Sequence, residues 1–220
     1  VVKQLNDAEV KVLVVLTNFS DAVVQALPQL SVEYIIETQT GDMLGFPKSF
    51  AMNTLVKFYK KLIGRQRIPN GITWSKLMRQ GKRLTVIPVA ITGEDIAFLQ
   101  YTGGTTGIAK GAMLTHRNII ANIEQATAWI QSDVRLGSEV MITALPLYHI
   151  FSLTANCFAF VRIGALNTLI TDPRDLNRFV KTLAKSSFTA ITGVTTLFNA
   201  LLQHPKFTKL NFEHLHLTLG

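Results

Sequence analysis

The sequence predicts an α/β fold with a largely parallel sheet, because short apolar segments alternate with segments of helical periodicity along most of its length. Of the 220 residues 48% are hydrophobic, which supplies a sizeable core and excludes an intrinsically disordered chain. The single cysteine, Cys157, excludes an intrachain disulfide framework and a cysteine-built zinc site, and it favours a reducing compartment.

Local patterns define the individual elements. Runs rich in valine, isoleucine and leucine predict strands over residues 11–17, 32–38, 96–101, 140–145, 166–171, 188–192 and 215–219. Apolar residues at helical spacing predict helices over residues 21–27, 50–63, 74–80, 115–131, 148–163, 172–185 and 195–203. The alternation becomes regular only after residues 88–94, so we expect two subdomains, 1–90 and 91–220.

Capping residues and apolar faces define the ends and the buried sides of several predicted helices. Thr73 and Thr115 are predicted N-caps, and Asp172-Pro173 is predicted to start the helix that ends near Lys185. The apolar face of the helix over 115–131 is predicted to comprise Ile119, Ile120, Ile123, Ala126 and Ile130. The apolar face of the helix over 148–163 is predicted to comprise Ile150, Leu153, Cys157, Phe160 and Val161.

Positive charge is concentrated in one region. Ten lysines and arginines and no acidic residue occur between Lys48 and Arg83, whereas the whole chain carries a formal charge of +8. In the helix over 50–63, lysines 57, 60 and 61 lie off the apolar stripe formed by Met52, Leu55, Val56, Tyr59, Leu62 and Ile63. Two interpretations stay open: a surface helix packed on the core, or a helix lying on an anionic membrane. No nucleic-acid partner is expected, because no helix-turn-helix, zinc-finger or stacking pattern accompanies the charge.

The run from Thr102 to Gly111 has the composition of a phosphate-binding loop. It combines four glycines, three threonines and Lys110 directly after a predicted strand. Glycines let backbone N–H groups approach an anion, threonine hydroxyls add donors, and the lysine supplies positive charge. The P-loop pattern fails because Gly111 follows Lys110, and the dinucleotide pattern G-x-G-x-x-G fails at Thr102. A glycine-rich hairpin without a ligand is the alternative on composition alone.

At this loop the sequence resembles a known family. Residues 99–110 match the signature of AMP-forming, adenylate-generating ligases, which include acyl-CoA synthetases, nonribosomal peptide synthetase adenylation domains and luciferases. The wider run YTGGTTGIAKGAMLTHRN (101–118), followed by TALPLYHIFSLT (143–154) and TAITGVTTLFNALL (189–202), is similar to bacterial long-chain fatty-acid–CoA ligases. The resemblance runs from about Gln4 to the end of the chain.

The resemblance implies an ATP-dependent enzyme and assigns most of the candidate site. The fold would be part of the large N-terminal domain of an adenylate-forming enzyme. Such an enzyme joins a carboxylic acid to AMP, releases pyrophosphate, and then transfers the acyl group to CoA. The expected cofactors are ATP and Mg²⁺, with CoA as co-substrate, Lys110 as a catalytic charge and Thr102 as a contact to magnesium-bound ATP. The expected ATP-binding residues are Tyr101, Thr102, Gly103, Gly104, Thr105, Thr106, Gly107, Ile108, Ala109, Lys110, Gly111 and Ala112.

The second candidate site is the histidine after the strand over 140–145. His149 follows Pro146, and ligands of α/β folds bind beyond the carboxyl ends of strands. By resemblance it lies near the acyl carboxylate and the α-phosphate; a structural histidine is the alternative. The expected substrate-binding residues are His149, Ile150, Phe151, Thr192, Gly193 and Val194. Residues 148–156 include no acidic side chain to hold an ammonium group, so an amino-acid substrate is not expected.

Segments that the family needs lie outside the sequence. The adenine-binding strand end, the Y-G-x-T-E segment with its magnesium-binding glutamate and the C-terminal domain have no counterpart in these residues, so we expect an inactive piece, truncated at the end of its ATP-binding subdomain. By resemblance we expect the parent to be a long-chain fatty-acid–CoA ligase. The alternatives are an aryl- or medium-chain-CoA ligase and a basic membrane- or lipid-binding module with a vestigial nucleotide loop. The expected location is cytoplasmic, at the inner face of the membrane, and exposed sheet edges would allow a homodimer.

Overall fold

The computed structural model describes residues 2–59, 66–103 and 109–220. They divide into two compact units, residues 1–90 with 103–111, and residues 91–102 with 112–220. The division into functional subdomains at residue 90 stays a prediction.

The first unit is built around a small parallel sheet. Its helices and strands are α1 Val2–Asp7, β1 Val12–Leu16, α2 Ser20–Ala26, β2 Tyr34–Thr38, α3 Lys48–Tyr59, β3 Ile72–Thr73 and α4 Trp74–Gly81. Short 3₁₀ turns occupy Thr17–Phe19, Leu27–Gln29 and Asp42–Leu44. The strands are parallel in the order β1-β2-β3, with Ile36 of β2 opposite both Val14 and Ile72. Val23, Ile35 and Ile68 form the buried core beside this sheet.

The basic helix differs from its prediction in length and in its buried face. Helix α3 spans Lys48–Tyr59, and the remainder of the predicted helix over 50–63 extends beyond the described residues. Met52 and Val56 are half-buried as expected, but Leu55 is exposed, which corrects the predicted apolar stripe. Asn53 holds the inner face instead: its Oδ1 accepts from the Gly41 N–H at 2.8 Å and its Nδ2 donates to Asp42 Oδ1 at 2.9 Å.

The second unit contains the segment of His149. Its elements are β4 Ile96–Thr102, β5 Lys110–Thr115, which starts in the first unit, α5 His116–Ile130, β6 Val140–Thr143, a π-helix Ser152–Phe158, α6 Ala159–Arg162, β7 Leu166–Leu169, α7 Leu176–Leu183, β8 Ala190–Thr192, α8 Thr195–Leu202 and β9 Leu217–Leu219. Strands β4 and β5 form a two-stranded sheet, and the other four form a parallel sheet in the order β7-β6-β8-β9.

Alternate residues of β6 and β8 face opposite helical layers, as the pleat of a strand requires. Ile142 and Ile191 pack with Phe179, Val180, Leu183 and Leu201 of helices α7 and α8. Met141 and Ala190 pack on the other side with Ile130, Phe160 and Ile163. A sheet covered on both faces has near-continuous apolar strands, which explains the runs in the sequence. The predicted α/β class is confirmed, with two parallel sheets and a two-stranded sheet rather than one sheet.

Several local predictions need correction. Helix α7 begins at Leu176 rather than at Asp172, because the Asp175 side chain accepts from the Arg178 N–H at 3.0 Å and takes the N-cap. Ile120 and Val161 are exposed and therefore lie off the predicted apolar faces of their helices. Thr73 precedes α4, but its side chain makes no capping hydrogen bond. Within the described residues, every helix is too short or too polar to cross a bilayer.

Candidate active site at the strand ends

The two ends of the predicted phosphate loop are the end of β4 and the start of β5. Thr102 and Gly103 are exposed, as is Lys110, whereas Tyr101, Ala109 and Gly111 are half-buried. Residues 104–108, predicted to bind ATP, lie outside the described residues. Lys110, Gly111 and Ala112, which were expected to bind ATP, belong to β5, because this strand begins at Lys110. The glycine-rich composition concealed the start of the strand in the sequence.

The opposite ends of β4 and β5 are tied together by a tight turn. The Thr92 N–H and hydroxyl donate to Asp95 Oδ2 at 2.6 and 2.9 Å, which holds the pKa of Asp95 below its usual value. The N–H groups that open α5 donate to the same turn, His116 to the Asp95 carbonyl at 3.0 Å and Arg117 to the Gly93 carbonyl at 2.9 Å. Thr115 and Asn118 form a reciprocal capping box, which confirms the predicted N-cap. The strands that carry the loop therefore start from a fixed point.

His149 lies in the turn that follows β6, with its imidazole exposed. The His149 N–H donates to the Pro146 carbonyl at 3.0 Å, and the His149 carbonyl accepts from the Leu153 N–H at 3.0 Å. Its Nδ1 accepts from the Phe151 N–H at a long 3.4 Å. A neutral imidazole that accepts through Nδ1 carries its hydrogen on Nε2, so His149 presents a donor to solvent.

The end of β4 contacts the His149 segment. Gln100 Nε2 donates to the Tyr148 carbonyl at 3.2 Å, and the rings of Phe98 and Phe158 lie 5.9 Å apart in a tilted arrangement. These contacts bring the strand that leads into the predicted phosphate loop beside the turn that carries His149. The end of β4 and the His149 turn therefore lie side by side within this unit.

The helical segment after His149 has a polar buried face, which corrects the predicted apolar one. Its middle part, Ser152–Phe158, is a π-helix, and its buried residues there are Ser152, Thr154 and Asn156. Phe160 is buried as predicted, whereas Ile150, Leu153 and Cys157 are only half-buried. Sequence reasoning missed this face because it assumed α-helical spacing through the whole segment, and a π-turn shifts which residues point inward.

Two of these side chains, Ser152 and Asn156, form with Thr192 of β8 what we call the carboxyl-end network. Each is fully buried. The Thr192 hydroxyl donates to Asn156 Oδ1 at 2.8 Å, Asn156 Nδ2 donates to Ser152 Oγ at 3.2 Å, and the Ser152 hydroxyl donates to the Leu145 carbonyl at 2.9 Å. The network joins the carboxyl end of β8 to both sides of the turn that carries His149.

Gly193 and Val194 follow Thr192, the last residue of β8. A Cβ at Gly193 would lie 2.9 Å from Cζ of the Phe198 ring, so any larger residue there would require this ring to shift. Thr192 is buried, and its hydroxyl donates to Asn156. Gly193 is also buried, whereas Val194 is half-exposed. Of these three predicted substrate-binding residues, Val194 is therefore the one that reaches the surface.

An apolar cavity of about 440 Å³ lies between α5 and the helical segment after His149. Its apolar lining includes Ala126, Trp129, Ile130, Phe151, Ala155 and Phe160. Thr154, Asn122 and Gln125 add neutral polar groups, and none of the described lining residues is charged. Such a cavity suits an uncharged apolar group.

A second polar cluster occupies the opposite ends of the same strands. In this amino-end cluster, the Glu139 carboxylate, only 1% exposed, accepts from the Arg135 N–H at 2.6 Å and from the Thr189 hydroxyl, and it lies 3.2 Å from His216 Nε2. These residues precede β6, β8 and β9. The contact with the buried Glu139 carboxylate gives His216 a structural role. Glu139 was missed in the sequence, where nothing marks it as a partner of a residue 50 positions away.

The side chains at the candidate site determine how magnesium could be held there. Among residues 2–59, 66–103 and 109–220, no cluster of histidine, cysteine, aspartate and glutamate side chains has the geometry to hold a metal ion. The exposed hydroxyl of Thr102 is the kind of oxygen ligand that Mg²⁺ accepts beside phosphate oxygens. These residues fit magnesium brought by a nucleotide rather than a cage of protein carboxylates.

Comparison with known proteins gives the family. The family model described as AMP-binding enzyme matches residues 1–220. Long-chain-fatty-acid–CoA ligases are 46% identical over 217 residues in Salmonella typhimurium, 45% over 221 residues in Haemophilus influenzae and 35% over 204 residues in Bacillus subtilis. The first two alignments cover 99% of this chain and the third 92%, but the chain spans only 39%, 39% and 36% of these relatives.

Solved structures agree in fold. ATP-bound MatB from Rhodopseudomonas palustris superposes with a TM-score of 0.65 at 21% identity, over 99% of this chain and 36% of that one. A red-emitting luciferase from Phrixothrix hirtus gives a TM-score of 0.71 at 16% identity, over 97% of this chain and 47% of that one. Because the family model matches the whole sequence, the chain belongs to the AMP-binding enzyme family.

Proposed function

We propose that the full-length protein containing this chain is an acid–thiol ligase that activates a long-chain fatty acid with ATP and transfers it to CoA. The observation that carries the proposal is the uncharged apolar cavity beside the segment of His149. The 46% identity to a long-chain-fatty-acid–CoA ligase across the chain supports the same substrate class.

The first half-reaction forms an acyl-adenylate. A carboxylate oxygen of the fatty acid attacks the α-phosphorus of ATP, the bond to the bridging oxygen breaks, and pyrophosphate leaves. Backbone N–H groups and hydroxyls of residues 102–110, with the Lys110 ammonium, would hold the β- and γ-phosphates. Mg²⁺ would neutralise phosphate charge, with Thr102 as its protein contact.

His149 would act at the carboxylate and the α-phosphate. Its exposed Nε2–H is a donor for the oxygen on which negative charge develops as the pentacovalent phosphorus forms. In the second half-reaction the CoA sulfur attacks the acyl carbonyl carbon and AMP leaves with the electrons of the mixed anhydride bond. His149 then has no phosphorus transition state to stabilise.

The cavity sets the choice of acid in this proposal. Each methylene that leaves water for an apolar site contributes about 0.8 kcal/mol, or roughly a fourfold gain in affinity. An amino acid would place its ammonium among neutral groups without a counter-charge. A short or aryl acid would leave part of the space unfilled, which ranks the aryl- and medium-chain ligases second.

The test is ATP–pyrophosphate exchange by the full-length protein with acids of increasing chain length, an aryl acid and an amino acid. We expect kcat/KM to rise about fourfold per methylene until the cavity is filled. Ala155→Phe, which fills the cavity, should reverse the order of long and short acids, and Ala128→Phe on the exposed face of α5 should not. Equal rates for all acids, or a preference for the aryl acid, would contradict the proposal.

Lys110→Ala tests the phosphate assignment. Loss of a charged hydrogen-bonding partner should lower kcat/KM for ATP about 10- to 100-fold. The matched control is Lys185→Ala, which removes an exposed lysine beyond the end of α7. An unchanged exchange rate in Lys110→Ala would refute a role of this lysine at the phosphates.

We further propose that the protein is cytoplasmic and binds the inner face of the membrane through what we call the α3 surface. It comprises the exposed apolar side chains of Met43, Phe46, Phe50 and Phe58 beside Lys48 and Lys57. Aromatic side chains that enter the interface, flanked by lysines that meet anionic headgroups, are the features of a peripheral membrane surface. A membrane-bound enzyme would meet its water-insoluble substrate directly. The homodimer stays a prediction.

Vesicle co-sedimentation of the full-length protein tests this surface. Phe50→Ser with Phe58→Ser and Lys57→Gln should weaken binding to phosphatidylserine vesicles, and raised salt should weaken it in the wild type. Lys181→Gln on α7 is the control of equal charge. Equal binding of wild type and triple variant, or equal binding to neutral phosphatidylcholine vesicles, would make α3 a solvated surface only.

A further inference from the structure

The carboxyl-end network is polar at a place where packing alone would favour apolar side chains. Ser152, Asn156 and Thr192 are fully buried, and Thr192 follows the buried apolar residues Ala190 and Ile191 on β8. A buried amide is tolerated when its hydrogen bonds are made, and it then fixes a single arrangement of the groups that it joins. Here it joins elements that are distant in sequence, since Thr192 and Asn156 are 36 residues apart.

The elements that the amide joins are those of the candidate site. On one side, Thr192 is the last residue of β8 and precedes Gly193 and Val194. On the other, Ser152 donates to the Leu145 carbonyl and thereby closes the turn between β6 and the π-helix. His149 lies within this turn. A shift of Asn156 would therefore change the position of His149 relative to the end of β8.

The π-helix gives Asn156 its orientation. π-turns are rare in proteins and are frequent at functional sites. The extra residue in the turn moves side chains out of the α-helical register. In this segment the residues turned inward are Ser152, Thr154 and Asn156, rather than the leucine and cysteine that α-helical spacing predicts.

We propose that Asn156 is a positioning residue, which holds His149 in register with the end of β8 for adenylate formation. The inference rests on the proposed function. Asn156 is fully buried and hydrogen-bonded to protein side chains through both Oδ1 and Nδ2, so it acts through the His149 turn rather than on the substrate. Displacing a reacting group by about 1 Å lowers rates by about 100-fold, which sets the size of effect to expect.

The experiment compares the half-reactions of the full-length protein and its Asn156→Ala variant. ATP–pyrophosphate exchange should lose about 10- to 100-fold in kcat, with KM for ATP changed less than about twofold, because the phosphates are held elsewhere. Thioester formation from supplied acyl-adenylate should fall by less than about threefold. A side chain that only stabilises the fold would lower both half-reactions by the same factor.

The matched control is Thr189→Val. Thr189 is a threonine just before the other end of β8, and its hydroxyl also donates to a buried side chain, Glu139. This variant should lose stability yet keep the wild-type ratio of the two half-reactions.

A double variant tests the route of the effect. If Asn156 acts through His149, then Asn156→Ala added to His149→Ala should slow exchange by no more than about a further twofold, because effects of residues that act as a unit do not add. If the loss of exchange rate in the double variant equals the product of the losses in the two single variants, the inference is overturned.

If Asn156→Ala does not fold, two variants of Thr192 provide a second test of the same inference. Thr192→Val removes the hydroxyl that donates to Asn156 and should reproduce the selective loss of exchange, and Thr192→Ser should recover about tenfold of it. Equal exchange rates in Thr192→Val and Thr192→Ser would overturn the inference. Absence of fatty-acid-dependent exchange in the wild type would overturn the proposed function and the inference with it, whereas an active wild type with an equally active Asn156→Ala variant overturns the inference alone.

Discussion

Strands β6 and β8 have a buried polar cluster at each end, and the two clusters differ in charge. The amino-end cluster contains the Glu139 carboxylate, which binds the residues that precede β8 and β9. The carboxyl-end network contains only hydroxyls and an amide. One cluster ties strands to one another, and the other ties the sheet to the turn that carries His149.

The difference follows from where anions bind. Ligands of open α/β sheets lie beyond the carboxyl ends of the strands, and the proposed ligands here, ATP and a fatty acid, are both anionic. A buried carboxylate at that end would repel them through a medium of low dielectric constant. Neutral groups give the same rigidity without the repulsion, while a carboxylate is tolerated at the far end, where no ligand is expected.

The largest effect is expected from breaking the amino-end cluster. Glu139→Ala should lower the free energy of unfolding by about 3 kcal/mol, because it removes a buried carboxylate and leaves the part-buried Arg135 N–H and Thr189 hydroxyl without this acceptor. Urea unfolding of the full-length protein measures this loss. Glu139→Gln, which keeps an acceptor of the same shape, should lose less.

The catalytic activity of Glu139→Ala tests whether the two polar clusters differ in function as well as in charge. If the amino-end cluster only holds strands together, the folded fraction of Glu139→Ala should keep the wild-type ratio of pyrophosphate exchange to thioester formation. A changed ratio would mean that the two ends of the sheet are not separate in function.

The opposite pattern is expected for His149→Ala. The side chain is exposed, so its removal should leave the unfolding free energy nearly unchanged. Adenylate formation should slow by about 100-fold, the effect typical of losing one donor to a developing negative charge, while thioester formation from supplied adenylate should slow less. Rapid-quench measurement of each half-reaction decides this, and an equal loss in both would favour a structural histidine.

Local rules were sufficient where the cause of a feature lies within a few residues. The capping box of α5 joins Thr115 to Asn118, and the apolar runs of β6 and β8 follow from burial on both faces. The register of Asn156 and its pairing with Thr192 were not predictable in this way, because a π-turn changes the spacing and the partner lies on another element. The predicted start of α7 was wrong because Asp172 and Asp175 both fit a cap. Asp172 accepts instead from the Arg174 N–H in a local turn, and Asp175 caps the helix.

The smallest effect is expected at Asp95, an exposed counterpart of Glu139. Both carboxylates precede a strand and accept a backbone N–H and a threonine hydroxyl, but Asp95 faces solvent. The Thr92 N–H, and then its hydroxyl, hold the pKa of Asp95 below its usual value of about 3.9. A carboxylate whose pKa is lower in the folded state stabilises the fold above its unfolded pKa, and this contribution is lost as the pH falls through the folded pKa.

The difference in unfolding free energy between wild type and Asp95→Asn should therefore be constant near neutral pH and shrink below about pH 4. Thr92→Ala should retain most of this pH dependence, because the backbone N–H remains as the larger of the two causes. Urea unfolding across the acid range measures both variants. The pH-dependent change in unfolding free energy at Asp95 should be much smaller than the loss caused by Glu139→Ala, because Asp95 is exposed to solvent. If the two are equally large, solvent exposure does not explain the difference between these carboxylates.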